Sequence, residues 1–254
     1  MRLRSLSILS IALVAGGAFA QTKPPEPDYT LSYNVGVVTD YRFRGISQTS
    51  FDPALQGGVD FAHKNGIYLG VWASNIEWIK DYVGATKGSL ETDFYGGYKG
   101  DIAKDFSFDV GVIRYQYFHN TAGSVAGFVN ANTTEIYGAL TYGLVTAKYS
   151  RATSNFIANT NSDGSGYFEV AANFDLGDGY TLTPHVGRQT IPHVAGNLGN
   201  YTDYALSLAK DFGNGLVVTA SAVGTNASKV FYNNPPDLKS LGKSTLVVGL
   251  KYNF

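Results

Sequence analysis

Residues 244–254 read STLVVGLKYNF and alternate without a break. Successive strand side chains point to opposite faces, so Leu246, Val248, Leu250, Tyr252 and Phe254 share one face, while Thr245, Val247, Gly249, Lys251 and Asn253 share the other. The chain stops with two aromatic rings on the apolar face. Termini are ordinarily poorly ordered, so rings placed here imply a strand held on both sides, as the last strand of a closed barrel is, with its apolar face in lipid. The spacing of Gly249, Tyr252 and Phe254 resembles the C-terminal signal read by the bacterial outer-membrane assembly machinery, which is then an expected partner during biogenesis.

The other end agrees. Arg2 and Arg4 precede an apolar run at 6–14, and Ala18-Phe19-Ala20 has the small-x-small form that signal peptidase cuts. Residues 1–20 are therefore expected to be a secretory signal removed after Ala20. That run is too short to span a bilayer, and nothing after it offers about 18 consecutive apolar residues, so no spanning helix is expected. Residues 21–29, which open QTKPPEPD, are expected to form a disordered periplasmic arm, leaving 30–254 as one domain. With no cysteine there is neither a lipoprotein anchor nor a disulfide framework. The 30 glycines, 18 tyrosines and 15 phenylalanines suit tight turns, strands and interfacial rings, and a formal net charge of −1 gives nucleic acid no footing.

Twelve segments carry a period of two: 30–44, 54–63, 67–75, 90–99, 106–117, 132–142, 144–152, 165–175, 179–189, 202–212, 215–226 and 244–254. Each approaches the roughly 9–11 residues of a tilted strand that crosses a bilayer. The short links between them alternate with long ones at 45–53, 76–89, 118–131, 153–164, 190–201 and 227–243. An outer-membrane hairpin series has this signature: short periplasmic turns, long extracellular loops, an even strand number and both termini in the periplasm. The expected fold is all-β, a transmembrane antiparallel up-and-down barrel of about 12 strands, with ten or fourteen as neighbouring counts.

In the first segment Leu31, Tyr33, Val35, Val37, Tyr41 and Phe43 are expected to face lipid, and Ser32, Asn34, Gly36, Asp40, Arg42 and Arg44 the lumen. Aromatic residues near strand ends suggest two interfacial girdles. Phe61, Tyr98, Phe106, Tyr142, Phe174, Tyr180, Phe212 and Tyr252 lie towards the short turns, and Tyr41, Phe43, Trp78, Tyr117, Tyr149 and Tyr204 towards the long loops. Two positions fit poorly. Arg114 falls on the apolar face, which requires a bulge or a place at the outer rim, and Pro184 lacks the donor that a closed ladder needs.

The stretch 35–76 is similar to the opening of the Gcw_chp family, the TorF-type porins. The resemblance rests on DYRFRGISQT (40–49), DPALQGG (52–58) and GVWASN (70–75), with TEIYG (134–138) and the closing strand in agreement. It implies an outer-membrane barrel of porin type with an undefined substrate, and it brings no catalytic pattern.

Candidate lumen residues are Asp40, Arg42 and Arg44, with Gln56 and Asp60 on the neighbouring strand and Glu91 and Asp93 further on. They form either a charged constriction that selects solutes or an ion-pair ladder in a packed lumen. Inward acids, including Asp109, Glu135, Glu169 and Asp203, outnumber inward bases, among them Lys99, Lys148 and Lys251, which favours cations. Twelve strands lie between a filled interior and an open channel. A narrow pore for passive diffusion of small solutes or ions and a plugged, structural or adhesive barrel both remain open, and loop 118–131 is a candidate inward constriction. An enzyme is not expected: His63, His119, His185 and His193 show no pairing with a serine, and a lipid-modifying enzyme is the remaining alternative. Asn159-x-Asn161-x-Asp163-Gly164 opens like a calcium loop, but Val170 occupies the position that needs a carboxylate, so neither metal nor cofactor is expected. The expected surroundings are outer-membrane lipids and small solutes.

Overall fold

In the computed structural model, which describes residues 27–235 and 239–254, twelve antiparallel strands close a barrel. They are β1 (Tyr29–Val38), β2 (Ala54–His63), β3 (Ile67–Asn75), β4 (Leu90–Ala103), β5 (Phe106–Gln116) and β6 (Thr133–Tyr142). Then follow β7 (Val145–Ala152), β8 (Gly166–Ala172, prolonged past Asn173 by Phe174–Gly177), β9 (Tyr180–Thr190), β10 (Tyr201–Asp211), β11 (Leu216–Thr225) and β12 (Thr245–Asn253). β12 pairs with β11 on one side and β1 on the other, and β8 pairs with both β7 and β9, so the ladder has no free edge. The expected signal peptide 1–20 and residues 21–26 of the expected arm lie outside the described residues.

The alternation seen in the sequence is the alternation of the wall. Leu31, Tyr33, Val35 and Val37 of β1 face outward and are exposed, as are Leu246, Val248, Leu250 and Tyr252 of β12. The same apolar belt runs round the barrel through Leu69, Val71, Val110, Val112, Ile136, Leu140, Phe168, Leu206 and Leu208. Such a continuous apolar surface belongs in lipid, and with its backbone bonds closed within the wall the molecule is an outer-membrane barrel. The aromatic residues of the short-turn end are its inner girdle, with Tyr98, Tyr142, Phe174, Tyr180, Phe212 and Tyr252 all exposed.

Pro184 has a place in this closed ladder. Its strand β9 pairs with Gly166–Ala172 only as far as His185↔Ala171 and resumes at Leu182↔Phe174. The missing donor of Pro184 coincides with the interruption of β8 at Asn173, whose Oδ1 accepts from Thr183 Oγ1 at 2.8 Å. The β5–β6 register runs unbroken from Phe106 to Tyr115, so no bulge carries Arg114 inward. It sits near the outer end of β5, where its Nη1 donates to Thr134 Oγ1 at 2.9 Å.

The first segment corrects the reading of 30–44 as one strand. β1 ends at Val38, and Asp40, Arg42 and Arg44 lie in a loop that folds into the barrel. There Arg42–Phe43 pairs with Ile46–Ser47 around Arg44 and Gly45, both at positive φ (48° and 79°). A two-residue hairpin turn of this class needs positive φ at both central residues. A side chain at Gly45 would meet Thr225 Cγ2 at 2.5 Å and Asp203 Cβ at 2.8 Å, so glycine also lets the turn press on the wall.

The outer girdle is corrected for the same reason. Tyr149 and Tyr204 are exposed as expected, but Trp78 and Tyr117 are buried and Tyr41 and Phe43 pack against them, inside the barrel mouth. They belong to an apolar cluster with Ile76, Ile79, Val83, Ala122 and Ala131 that caps the outer half of the lumen. Loop 118–131 joins the cap through Val125 and Phe128.

At the other rim the Phe254 N–H donates to the Tyr33 carbonyl at 2.9 Å, and its ring meets Tyr252 edge-on at 5.0 Å. Deleting Phe254 removes a closing bond and a ring pair together worth about 1–2 kcal/mol. The truncated chain is expected to fold in lower yield, read as heat-modifiable mobility in gels, before any transport property changes. Normal insertion would refute an assembly role for this residue.

Candidate functional site in the barrel lumen

Alternation aims Glu91 and Asp93 of β4, Glu135 of β6, Tyr167 of β8, Gln189 of β9 and Asp203 of β10 at one level of the lumen, all of them buried. Into this ring the turn at Arg44 and Gly45 delivers a guanidinium. Arg44 Nη2 meets Glu135 Oε2 at 2.7 Å, and Nη1 reaches Glu135 Oε1 at 3.1 Å and Gln189 Oε1 at 2.8 Å. Its guanidinium lies 4.2 Å from the Tyr167 ring centre, with Phe43 and Phe156 at 4.7 and 5.5 Å. A forked carboxylate contact plus an aromatic face is the arrangement that suits a planar guanidinium. Burial works to lower the Arg44 pKa, but the Glu135 carboxylate with the Tyr115 and Tyr201 hydroxyls outweighs it and holds the pKa above its ordinary value.

Arg42 ties the hairpin to the long loop that precedes β12 instead. Its Nε donates to Asp40 Oδ2 at 2.5 Å, and Nη1 donates to the carbonyls of Gly45, Leu241 and Lys243. Burial dominates here and lowers the Arg42 pKa, with Asp40 opposing. The hairpin is further pinned by Ser47 N–H to the Leu241 carbonyl at 2.9 Å, and its Gln48 carbonyl accepts from the Glu77 and Trp78 N–H groups.

The structure thus places three of the seven lumen candidates, Arg44, Glu91 and Asp93, in this ring and separates the others by role. Asp40 and Arg42 pair within the loop, while Arg44 pairs with Glu135, which shares its level of the lumen with Glu91 and Asp93. Tyr41 donates to Glu91 at 2.7 Å, whereas Asp93 Oδ1 is buried without a hydrogen-bond partner among the described residues. Gln56 meets Ser74 Oγ at 3.3 Å on the wall. Asp60, opposite Ser32, lies in the inner half, where it accepts from Tyr95 at 2.5 Å. Sequence reasoning set Glu135 inward but did not see Gln189 and Tyr167 as partners. Their inward faces are readable from alternation, but the convergence of Glu135 and Gln189 on Arg44, across 91 and 145 positions, is not.

The inner half of the lumen is polar and only half-buried. Tyr68 donates to Asp109 at 2.5 Å and bonds Tyr137, and Lys148 lies 4.3 Å from the Tyr137 ring. His185 contacts Glu169 at 3.2 Å, Asp203 at 3.5 Å and Tyr167 at 3.3 Å, with no serine among these partners. The calcium-like stretch is a self-bonded turn, in which Asn159 Nδ2 donates to the carbonyls of Phe156 and Ile157. Among the described residues no group of His, Asp and Glu is placed to hold a metal.

Residues 22–254 match the family described as "Bacterial protein of unknown function (Gcw_chp)". The chain belongs to this family. Among the solved structures that share the Gcw_chp barrel's fold are porins. A KdgM porin in complex with disordered oligogalacturonate superposes with a TM-score of 0.54 at 9% identity, covering 88% of this chain and 98% of that one. A second KdgM porin structure gives 0.52 at 9% identity, covering 88% and 98%. The NanC porin in a rhombohedral crystal form gives 0.53 at 9% identity, covering 89% and 99%. No curated protein matches the sequence.

Proposed function

We propose that this barrel is an outer-membrane channel for small solutes or ions, closed in the present conformation by the hairpin of residues 39–53. One observation carries the reading: the wall closes on itself through its own strand pairs, and the hairpin is attached inside it mainly by side-chain bonds and a few loop carbonyls. Withdrawal of the hairpin, together with the apolar cap that packs on Tyr41 and Phe43, would leave the strand ladder whole and join the polar inner lumen to the outside. The porin fold of the structural neighbours supports the same reading, as does a lumen of mixed charge. Export of the precursor, cleavage after Ala20, a short arm before β1 and insertion by the outer-membrane assembly machinery complete it.

The packed outer mouth gives the second reading, a plugged barrel that binds partners through its long loops. Recordings from purified protein in planar bilayers separate the two. The channel reading expects discrete conductance steps whose size or frequency, and whose ion selectivity, change in the Arg42→Ala, Arg44→Ala double variant. Silence from both folded proteins would sink the channel. Conductance identical in size and selectivity would remove the hairpin arginines from any filter or gate.

A further inference from the structure

The groups that hold Arg44 belong to the wall, not to the hairpin. Glu135 supplies a forked carboxylate, Gln189 a carbonyl oxygen and Tyr167 a ring face, from three different strands. Each of these wall residues is 0–3% exposed. If the hairpin leaves, the wall retains a receptor with the shape and charge of a guanidinium site. A second observation points the same way. Asp93, 7% exposed, has an Oδ1 with no hydrogen-bond partner among the described residues, beside Glu91, which is hydrogen-bonded to the hydroxyls of Tyr41 from the hairpin loop and Tyr117 from the cap. Buried carboxylates need a counter-charge or full hydrogen bonding, and in this ring Arg44 answers Glu135 alone.

We propose that the ring around Glu135 is a binding site for small organic cations of the guanidinium class, which Arg44 occupies as a tethered competitor in the closed state. The site stands whether or not the barrel conducts; only its use in permeation rests on the channel reading. A solute guanidinium entering from the inner lumen takes the place of Arg44 on Glu135 and Tyr167, and Asp93 offers a second carboxyl group to a ligand carrying a further positive group. Displacement and hairpin release are then one event, because Arg44 is the hairpin's tip. A tethered group competes at high effective concentration, so the wild type binds such a ligand weakly until that competitor is removed.

The chain offers a direct readout. Its two tryptophans are Trp72, whose ring lies 5.3 Å from that of Tyr41, and Trp78 in the cap. Both report on the hairpin. Full-length protein in detergent is titrated with methylguanidinium chloride, with tetramethylammonium chloride as the control for ionic strength and bare charge. Arg44→Ala is expected to show a saturable fluorescence change with an apparent Kd about ten-fold or more below that of the wild type. Arg44→Met, which keeps an alkyl stem over Tyr167, serves if the alanine variant lacks the heat-modifiable mobility of a folded barrel. Adding Glu135→Gln to either variant should abolish the saturable response. No saturable response in the folded Arg44 variants, or an equal response to tetramethylammonium, would overturn the site. Binding without conductance would uphold the site and sink the channel reading. Conductance without binding would do the reverse.

Discussion

Replacing Glu135 by Leu is expected to free the hairpin while the barrel stays folded. The backbone of residue 135 keeps its pairings with Ile113 and Ala152 whatever the side chain, so the wall ladder survives. What is lost is the carboxylate that answers a buried guanidinium, and removing one partner of a buried pair costs about 3–5 kcal/mol because the other charge is stranded. The chain can relieve that cost cheaply, since Arg44 need only leave the lumen for water. Trypsin reads the change: Arg42 and Arg44 are buried in the wild type, with side chains 6% and 8% exposed. The variant should be cut between residues 42 and 45 under conditions that leave the parent intact, and its open probability in bilayers should rise. Combining Glu135→Leu with Arg44→Met should cost less than the two single changes added together, the signature of a direct pair. A Glu135→Leu protein that resists trypsin and conducts like its parent would show that the hairpin is held by something else, with Arg42 and the Leu241 contacts next in line.

The wall was legible because each of its segments obeys one rule, alternation, and because lipid outside and water inside make that rule strict. The positions of Val248 and Leu250, and the long and short links around them, follow from it without any knowledge of partners. The hairpin was not legible, and the reason lies in residues 40–44. Asp40, Tyr41, Arg42, Phe43 and Arg44 continue the alternation of β1, so a strand running on and a hairpin turning inward present the same pattern. Only Gly45 marks the turn, and glycine is common in this chain. The cap aromatics failed in the same way. A tryptophan at a strand end satisfies an interfacial girdle or a buried cap equally well, and Trp78 chose the cap because Tyr117 and Ile79 meet it there. Pro184 shows the reverse case, where an apparent misfit pointed to a real feature, the break at Asn173.

Adjacent substitutions on β10 should give opposite results. Leu206, 51% exposed, lies at the middle of the strand with its side chain in the lipid belt, opposite Pro184 and Ala222. An arginine there must hold a charge near the bilayer midplane, at a cost of about 2–4 kcal/mol. Leu206→Arg should therefore lower the denaturant midpoint of unfolding in liposomes and reduce insertion yield. Ser207, one residue on, faces the lumen among other small polar side chains, between Thr183 and Ser221, and its hydroxyl accepts from Ser221 at 2.8 Å. An arginine at Ser207 extends into water-accessible space and forfeits one hydroxyl contact, about 1 kcal/mol. It should insert normally, and as a new positive charge in the lumen it should shift the reversal potential towards anions. Because a slip of one residue would exchange the two faces, the pair also tests the register of the strand: equal damage from both changes, or damage from Ser207→Arg alone, would contradict the assigned faces and with them the inward ring of carboxylates on which the hairpin rests.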